Sequence, residues 1–352
     1  MRMRSWLWTA VIAAPMGLAG CSGEPSDEER AKDVAESAQT VIGQELEAWH
    51  AAAVEMMDAA PTPSGRGWDA AKDADAIAKM RSAWTKTRTT YEHIEGAVAP
   101  LFPDIDASTD ARYEAFLVQL GNKADPDLFD GEGVTGMHAI ERILFSDVTP
   151  AAVVTFEKGL PGYSPAAFPA TEQEALSMKT KLCAKLVADI ESMQKAWSSA
   201  AIDLPGAFDG LISLMNEQHE KVNKAATGEE ESRYSQKTLA DLRANLVGTR
   251  QIYALFQPWI ASKEGGAKVD SGIQAGFDSL DKAYSATAGD SIPAPPATWS
   301  SADPSEGDLA TPFGKLFTTV SAAVDPQRDG SIVDEMNTAA GLIGFPRFQE
   351  GE

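Results

Sequence analysis

Cysteine, histidine, positive charge and strand patterning are all scarce in this chain. Two cysteines among 352 residues, Cys21 and Cys183, leave no disulfide framework. Cys183, close to Leu182, Leu186 and Val187, reads as a small buried core residue. Thirty Lys and Arg against 52 Asp and Glu give a formal net charge of −22. That balance argues against a nucleic-acid partner, because phosphate binding needs a basic surface. No run of alternating apolar and polar residues marks a strand, and Val and Ile are sparse beside Ala, which favours helices. There is no glycine-rich phosphate loop and no Ser/His/Asp arrangement. Also missing is H-E-x-x-H, which would put two imidazoles and a general base on one helical turn. What remains for chemistry is four histidines and a large excess of carboxylates. The acidity alone describes a solvated shell and does not specify a metal.

The N-terminal stretch "MRMRSWLWTAVIAAPMGLAGCSGEPSDEE" places Arg2 and Arg4 before an apolar run from Trp6 to Ala14. That run is too short to span a bilayer, and residues 1–20 read as a secretory signal peptide. Leu18-Ala19-Gly20-Cys21 resembles the bacterial lipobox. The resemblance implies cleavage before Cys21, lipidation of Cys21 and a membrane anchor, with 21–30 as a flexible tether. Acyl chains contribute roughly 0.8 kcal/mol per buried methylene, so more than one chain anchors stably. The expected location is the bacterial cell envelope, facing the periplasm or the cell surface, with inner and outer membrane both open.

Hydrophobic periodicity predicts an all-α chain. Helices are expected over 31–58, 68–98, 108–121 and about 150–158. Beyond the Gly/Pro loop "GLPGYSPAAFP" they are expected over 171–201, 206–226, 230–262, 268–287, 308–324 and 330–342. Short connections between long helices favour antiparallel packing. The expectation is two tandem up-down helical bundles, an N-terminal one over 31–165 and a C-terminal one over 170–350.

The stretch "GVTGMHAIERILF", residues 133–145, holds His138 and Glu141 among apolar residues. At about 100° per residue Glu141 falls inside the apolar arc and His138 at its edge. Three apart on a helix, they face the same way. They form either a hydrogen-bonded core pair or part of a carboxylate–imidazole metal site of the kind helical bundles build. In the second helix Ile77, Met80, Trp84, Arg88, Tyr91 and Glu95 make one stripe. Arg88 and Glu95 therefore sit on an apolar seam, with Glu92 and His93 pointing away from its centre. Glu95 would complete a site with His138 and Glu141, unless it is consumed by an ion pair with Arg88. Asp104 and Asp106, in "FPDID", lie just beyond the expected helix end and could reach the same place. One imidazole with several carboxylates suits iron or another divalent cation better than a structural zinc site. Glu217, His219, Glu220 and the run Glu229–Glu231 read as a solvated helix end, and His50 as a partly buried structural histidine.

Three stretches carry a family resemblance. "WTKTRTTYEHIEGAVAPLFPDID" resembles the W-x3-R-x2-Y-x3-E…D-x-D stretch of the imelysin family, and "GVTGMHAIERILF" resembles its G-x-H-x-x-E signature. "TGEEESRYSQKTLADLRANLVGTRQIYALFQP" is similar to a stretch of the family's iron-uptake branch. The three occur in family order and span roughly residues 80–260. The resemblance implies a two-bundle helical fold outside the cytoplasm. It also implies a metal site using His138 and Glu141 with the family's upstream Glu on Glu95, and a bridging role for Arg233 and Tyr234. Three functions follow as expectations. The leading one is a cell-envelope lipoprotein binding iron through His138, Glu141, Glu95 and Asp106, serving a membrane iron transporter. The others are a metal-dependent peptidase, which the missing H-E-x-x-H disfavours, and a non-catalytic helical module with a structural polar core.

Overall fold

The computed structural model describes residues 24–348, so the expected signal peptide and Cys21 lie outside the described residues. Every regular element among the described residues is helical. In the first part of the chain these are α1 (Asp27–Ala59), α2 (Ala74–Glu92), α3 (Glu95–Val98), α4 (Pro103–Asp110), α5 (Tyr113–Gln119), α6 (Gly136–Leu144) and α7 (Ala151–Lys158). Then come α8 (Glu172–Ser177), a π-helical turn (Met178–Cys183) and α9 (Ala184–Ser199). The rest comprises α10 (Leu204–Lys224), α11 (Thr238–Ala261), α12 (Gly266–Ala286), α13 (Glu306–Leu309), α14 (Pro312–Val324) and α15 (Ile332–Leu342).

Local chemistry sets several of these boundaries. Ser26 opens α1 with a capping box: its hydroxyl accepts from the Glu29 N–H, and its own N–H donates to the Glu29 carboxylate at 2.8 Å. Such a cap contributes about 1 kcal/mol. Thr171 and Glu174 repeat the device at α8. Along α1, Val34, Ala38, Ile42, Leu46, Trp49, Ala53 and Met56 are buried at three- and four-residue spacing, giving one continuous seam.

That seam packs on α2 and α9. The stretch 172–199, expected in the second bundle, packs against α1, α4 and α6 of the first. α10, α12, α14 and α15 pack on one another to form the second. α11 joins the two, touching α1 and α2 on one side and α10 and α12 on the other. Gly248 lets α11 approach the end of α2: a Cβ there would lie 1.9 Å from the His93 carbonyl oxygen. The halves are also tied by buried polar contacts. Arg233 Nη2 donates to Glu114 Oε1 at 2.7 Å, and the Tyr234 hydroxyl donates to Glu157, which also accepts from Arg142 at 3.0 Å.

Two departures from the expected helices matter for the site. The helix expected over 68–98 breaks at His93–Ile94, where Ile94 leaves helical geometry (φ −122°, ψ −8°). The helix expected from 108 instead begins at Pro103 and ends at Asp110, with a second short helix after it. Cys183 is fully buried, and burial pushes its thiol up to about 12.

Candidate metal centre

α6 begins at Gly136, whose φ of +84° disfavours any side chain and whose Cβ would sit 2.5 Å from the Thr109 carbonyl oxygen. The glycine of the G-x-H-x-x-E pattern thus docks the N-terminus of α6 on the end of α4. This docking carries His138 to Asp110, the last residue of α4. His138 is 2 % exposed, and its Nε2 stands 3.4 Å from Asp110 Oδ1 without a hydrogen-bond partner. On the other edge of the ring, Nδ1 lies 3.0 Å from Glu141 Oε2. Glu141 Oε1 accepts from the backbone N–H groups of Tyr234 and Ser235, at 3.2 and 2.8 Å.

This arrangement divides the work between the two residues. Glu141 is fully buried and spent on holding the ring and the 234–235 backbone. A carboxylate on Nδ1 holds the proton there and leaves the Nε2 lone pair as the ligand, a recurring support for histidine metal ligands. In that tautomer Nε2 faces the Asp110 carboxylate oxygen acceptor to acceptor, an arrangement that a proton or a metal cation between them would relieve. Burial, aided by Arg88, holds the imidazole well below its ordinary value and so neutral. Burial pushes Glu141 up to about 8, against the hydrogen bonds from Ser235.

Asp110, His138 and Glu231 each offer a ligand atom, all within 4.8 Å of one another. Glu231 comes from the loop before α11 and is 8 % exposed. Arg88, itself 1 % exposed, lies against this group. Its guanidinium contacts Glu92 and Asp110 and reaches Glu231 Oε1 at 3.4 Å. Lys221, from α10, places Nζ 2.8 Å from Glu231 Oε2. Burial raises Asp110 well above the ordinary carboxylate range despite Arg88. Burial also acts to raise Glu231, but Lys221 and Arg88 outweigh it and hold that carboxyl below its ordinary value. Asp241, also buried here, is pushed up to about 6 by burial against the pull of Arg88. The site therefore has more buried carboxyl groups than its two cations can neutralise. A cleft of about 490 Å³ reaches Asp110 and Glu231 from the surface, past Arg112, Glu114, Glu217 and Lys224.

The residues expected from the sequence divide accordingly. His138 and Glu141 are together. Glu95 lines the same cleft as Asp110 and Glu231, where it accepts from Lys221 at 3.3 Å and from Asn245 at 2.8 Å. Asp106 accepts from the Tyr91 hydroxyl, and burial pushes it up to about 6. The ion pair weighed between Arg88 and Glu95 forms instead between Arg88 and Glu92, one turn on. Glu92, expected to point away from the seam, is fully buried, and Glu230 and Glu231, expected in a solvated run, are also buried. Sequence reasoning missed Asp110 and Glu231 as candidate ligands. For Glu231 a signal existed, since it lies in the stretch that resembles the iron-uptake branch.

The imelysin family model matches residues 42–311. The iron uptake system component EfeO of Escherichia coli strain K12 and that of Shigella flexneri are each 31 % identical to this chain over 228 residues. Each alignment covers 61 % of the chain and 50 % of the relative, so the chain spans about half the length of the curated relatives it matches. An imelysin-like protein from Psychrobacter arcticum 273-4 shares the fold, with a TM-score of 0.53 at 12 % identity over 92 % of this chain and 99 % of that one. The family match runs from the first long helix past both stretches that build the site, and the chain belongs to the imelysin family.

Proposed function

We propose that this protein is a lipid-anchored cell-envelope component of iron uptake that binds iron, or another divalent cation, at Asp110, His138 and Glu231. The observation that carries this reading is the buried Nε2 of His138, without a partner and within ligand distance of two carboxylates from different parts of the chain. One imidazole nitrogen with carboxylate oxygens is a donor set suited to ferrous iron or manganese, with water from the cleft completing the shell. Glu141 holds the ring, while Arg88 and Lys221 keep the carboxylates folded together in the cation-free protein. Support comes from the EfeO relatives, described as components of an iron uptake system. Among the described residues no helix is long and apolar enough to cross a membrane. Attachment falls to a lipidated Cys21, and delivery to an iron-transporting membrane protein.

The test is elemental analysis of the native protein together with calorimetric titration by ferrous iron, manganese and zinc, in wild type and His138→Ala. Saturable binding in the wild type and its loss in the variant are expected. A wild type that takes up no cation, or a variant that binds equally well, refutes the proposal.

A further inference from the structure

Lys221 has an unusual position for a lysine. It is 8 % exposed, yet its ammonium meets carboxylates on two sides: Glu231 Oε2 at 2.8 Å and the two Glu95 oxygens at 3.3 and 3.4 Å. Asn245 Oδ1 stands 3.5 Å away. Glu217, one turn earlier on α10, lines the same cleft. A shell of carboxylate and amide oxygens around one positive centre is what a free cation would seek. Glu231 is thereby claimed at both oxygens, Oε1 by Arg88 and Oε2 by Lys221. An ion bound at Asp110, His138 and Glu231 has to share the Glu231 carboxylate with Arg88 on Oε1 and Lys221 on Oε2.

We infer that Lys221 is a tethered cation that competes with the bound metal for Glu231, and that Glu95 is the carboxylate to which it retreats when the metal enters. This rests on the reading of Asp110, His138 and Glu231 as the metal centre. It gives Glu95 a positioning role: it receives the displaced lysine and touches no metal. Asn245, donating to both Glu92 and Glu95, holds the receiving carboxylate in place. Exchange of one cation for another makes release reversible. Returning Lys221 to Glu231 refills the charge that the departing ion leaves, so the buried carboxylate does not depend on the more distant Arg88 alone.

The experiment is a double-mutant cycle on the full chain, read as manganese affinity by calorimetry, with Lys221→Met, Glu95→Gln and the pair. Lys221→Met removes the competing charge and keeps most of the side chain's length. Its affinity should rise by about tenfold or more, as expected when a like charge a few ångströms from the ion is deleted. Glu95→Gln removes the retreat, pins Lys221 on Glu231 and should weaken binding. In the Lys221→Met background Glu95→Gln should have no further effect, because the residue it acts through is gone. Circular dichroism confirms folding. Should Lys221→Met not fold, Lys221→Gln takes its place in the cycle. An unchanged or weakened affinity in the folded lysine variant overturns the inference. So does a Glu95→Gln loss that persists without Lys221, which would make Glu95 a direct ligand. A wild type that binds no manganese fails at the earlier step and removes the metal centre together with this inference.

Discussion

Glu141→Gln isolates the support of the ligand from the ligand itself. The amide matches the carboxyl group in size, and its oxygen can still accept from the Tyr234 and Ser235 N–H groups that now bond Oε1. The amide nitrogen then occupies the Oε2 position, 3.0 Å from His138 Nδ1, and donates to it. That contact reverses the tautomer: the ring proton moves to Nε2, which points an N–H where the lone pair is needed. Loss of an orienting partner of this kind typically costs 10–100-fold in metal affinity, about 1.4–2.8 kcal/mol. Burial pushes Glu141 up to about 8, so the comparison is made above that pH, where the wild type carries the carboxylate and the variant the amide. Titration with manganese measures the affinity. Nitrogen-15 NMR of the imidazoles reads the tautomer directly, and with only four histidines in the chain the His138 signals can be assigned by one substitution. A Glu141→Gln protein that binds as tightly as wild type, with the proton still on Nδ1, refutes the assignment of Glu141 as the residue that orients the ligand.

The cation-free protein should lose stability as pH rises through neutrality. Asp241 and Glu141 have folded-state values raised by burial to about 6 and about 8, above the ordinary 3.8 and 4.5. A raised carboxyl contributes stability that is fully present below its ordinary value and lost as pH climbs through the folded one. Melting temperature should therefore fall between about pH 4 and pH 8; a flat or rising profile contradicts this. Gly248→Ala should destabilise the fold by about 3 kcal/mol or more, since its Cβ would lie 1.9 Å from the His93 carbonyl oxygen, with backbone on both sides of the contact. Urea unfolding measures that loss, and an effect below about 1 kcal/mol would mean that the α2–α11 crossing relaxes easily.

The helical content was legible because it depends on local signals: caps, periodicity and Gly/Pro breaks. The long helices α1, α10 and α12 lie close to where periodicity put them, while α11 starts at Thr238 rather than near 230, which leaves Glu231 in a loop. His138 and Glu141 were legible for the same reason, since both lie on one helix at a spacing that fixes their relation. Glu95 lies past a break that the helical count did not show, at His93–Ile94, where the chain leaves the helix. Before that break Glu92 is one turn from Arg88, and it takes the ion pair. Asp110 gave no signal of its own, because an aspartate near a helix end reads as a cap. Glu231 sits in a run of three glutamates that resembles a solvated surface. Only the arrival of Lys221 and Arg88 from other helices makes its burial tolerable, and no local pattern encodes that meeting.

The candidate ligands are split across the chain. Asp110 and His138 come from the first part of the sequence, Glu231 from the second, and the backbone that steadies Glu141 lies just after Glu231. Neither part contains a complete site, so on the proposed reading the site exists only while α6 and the loop before α11 are docked. By mass action, a ligand at 100 times its dissociation constant then adds about 2.7 kcal/mol to that docking. On that reading the cation would act as a clasp as well as cargo. Delivering it would loosen the seam between the two bundles, and the cleft beside that seam would be its route out.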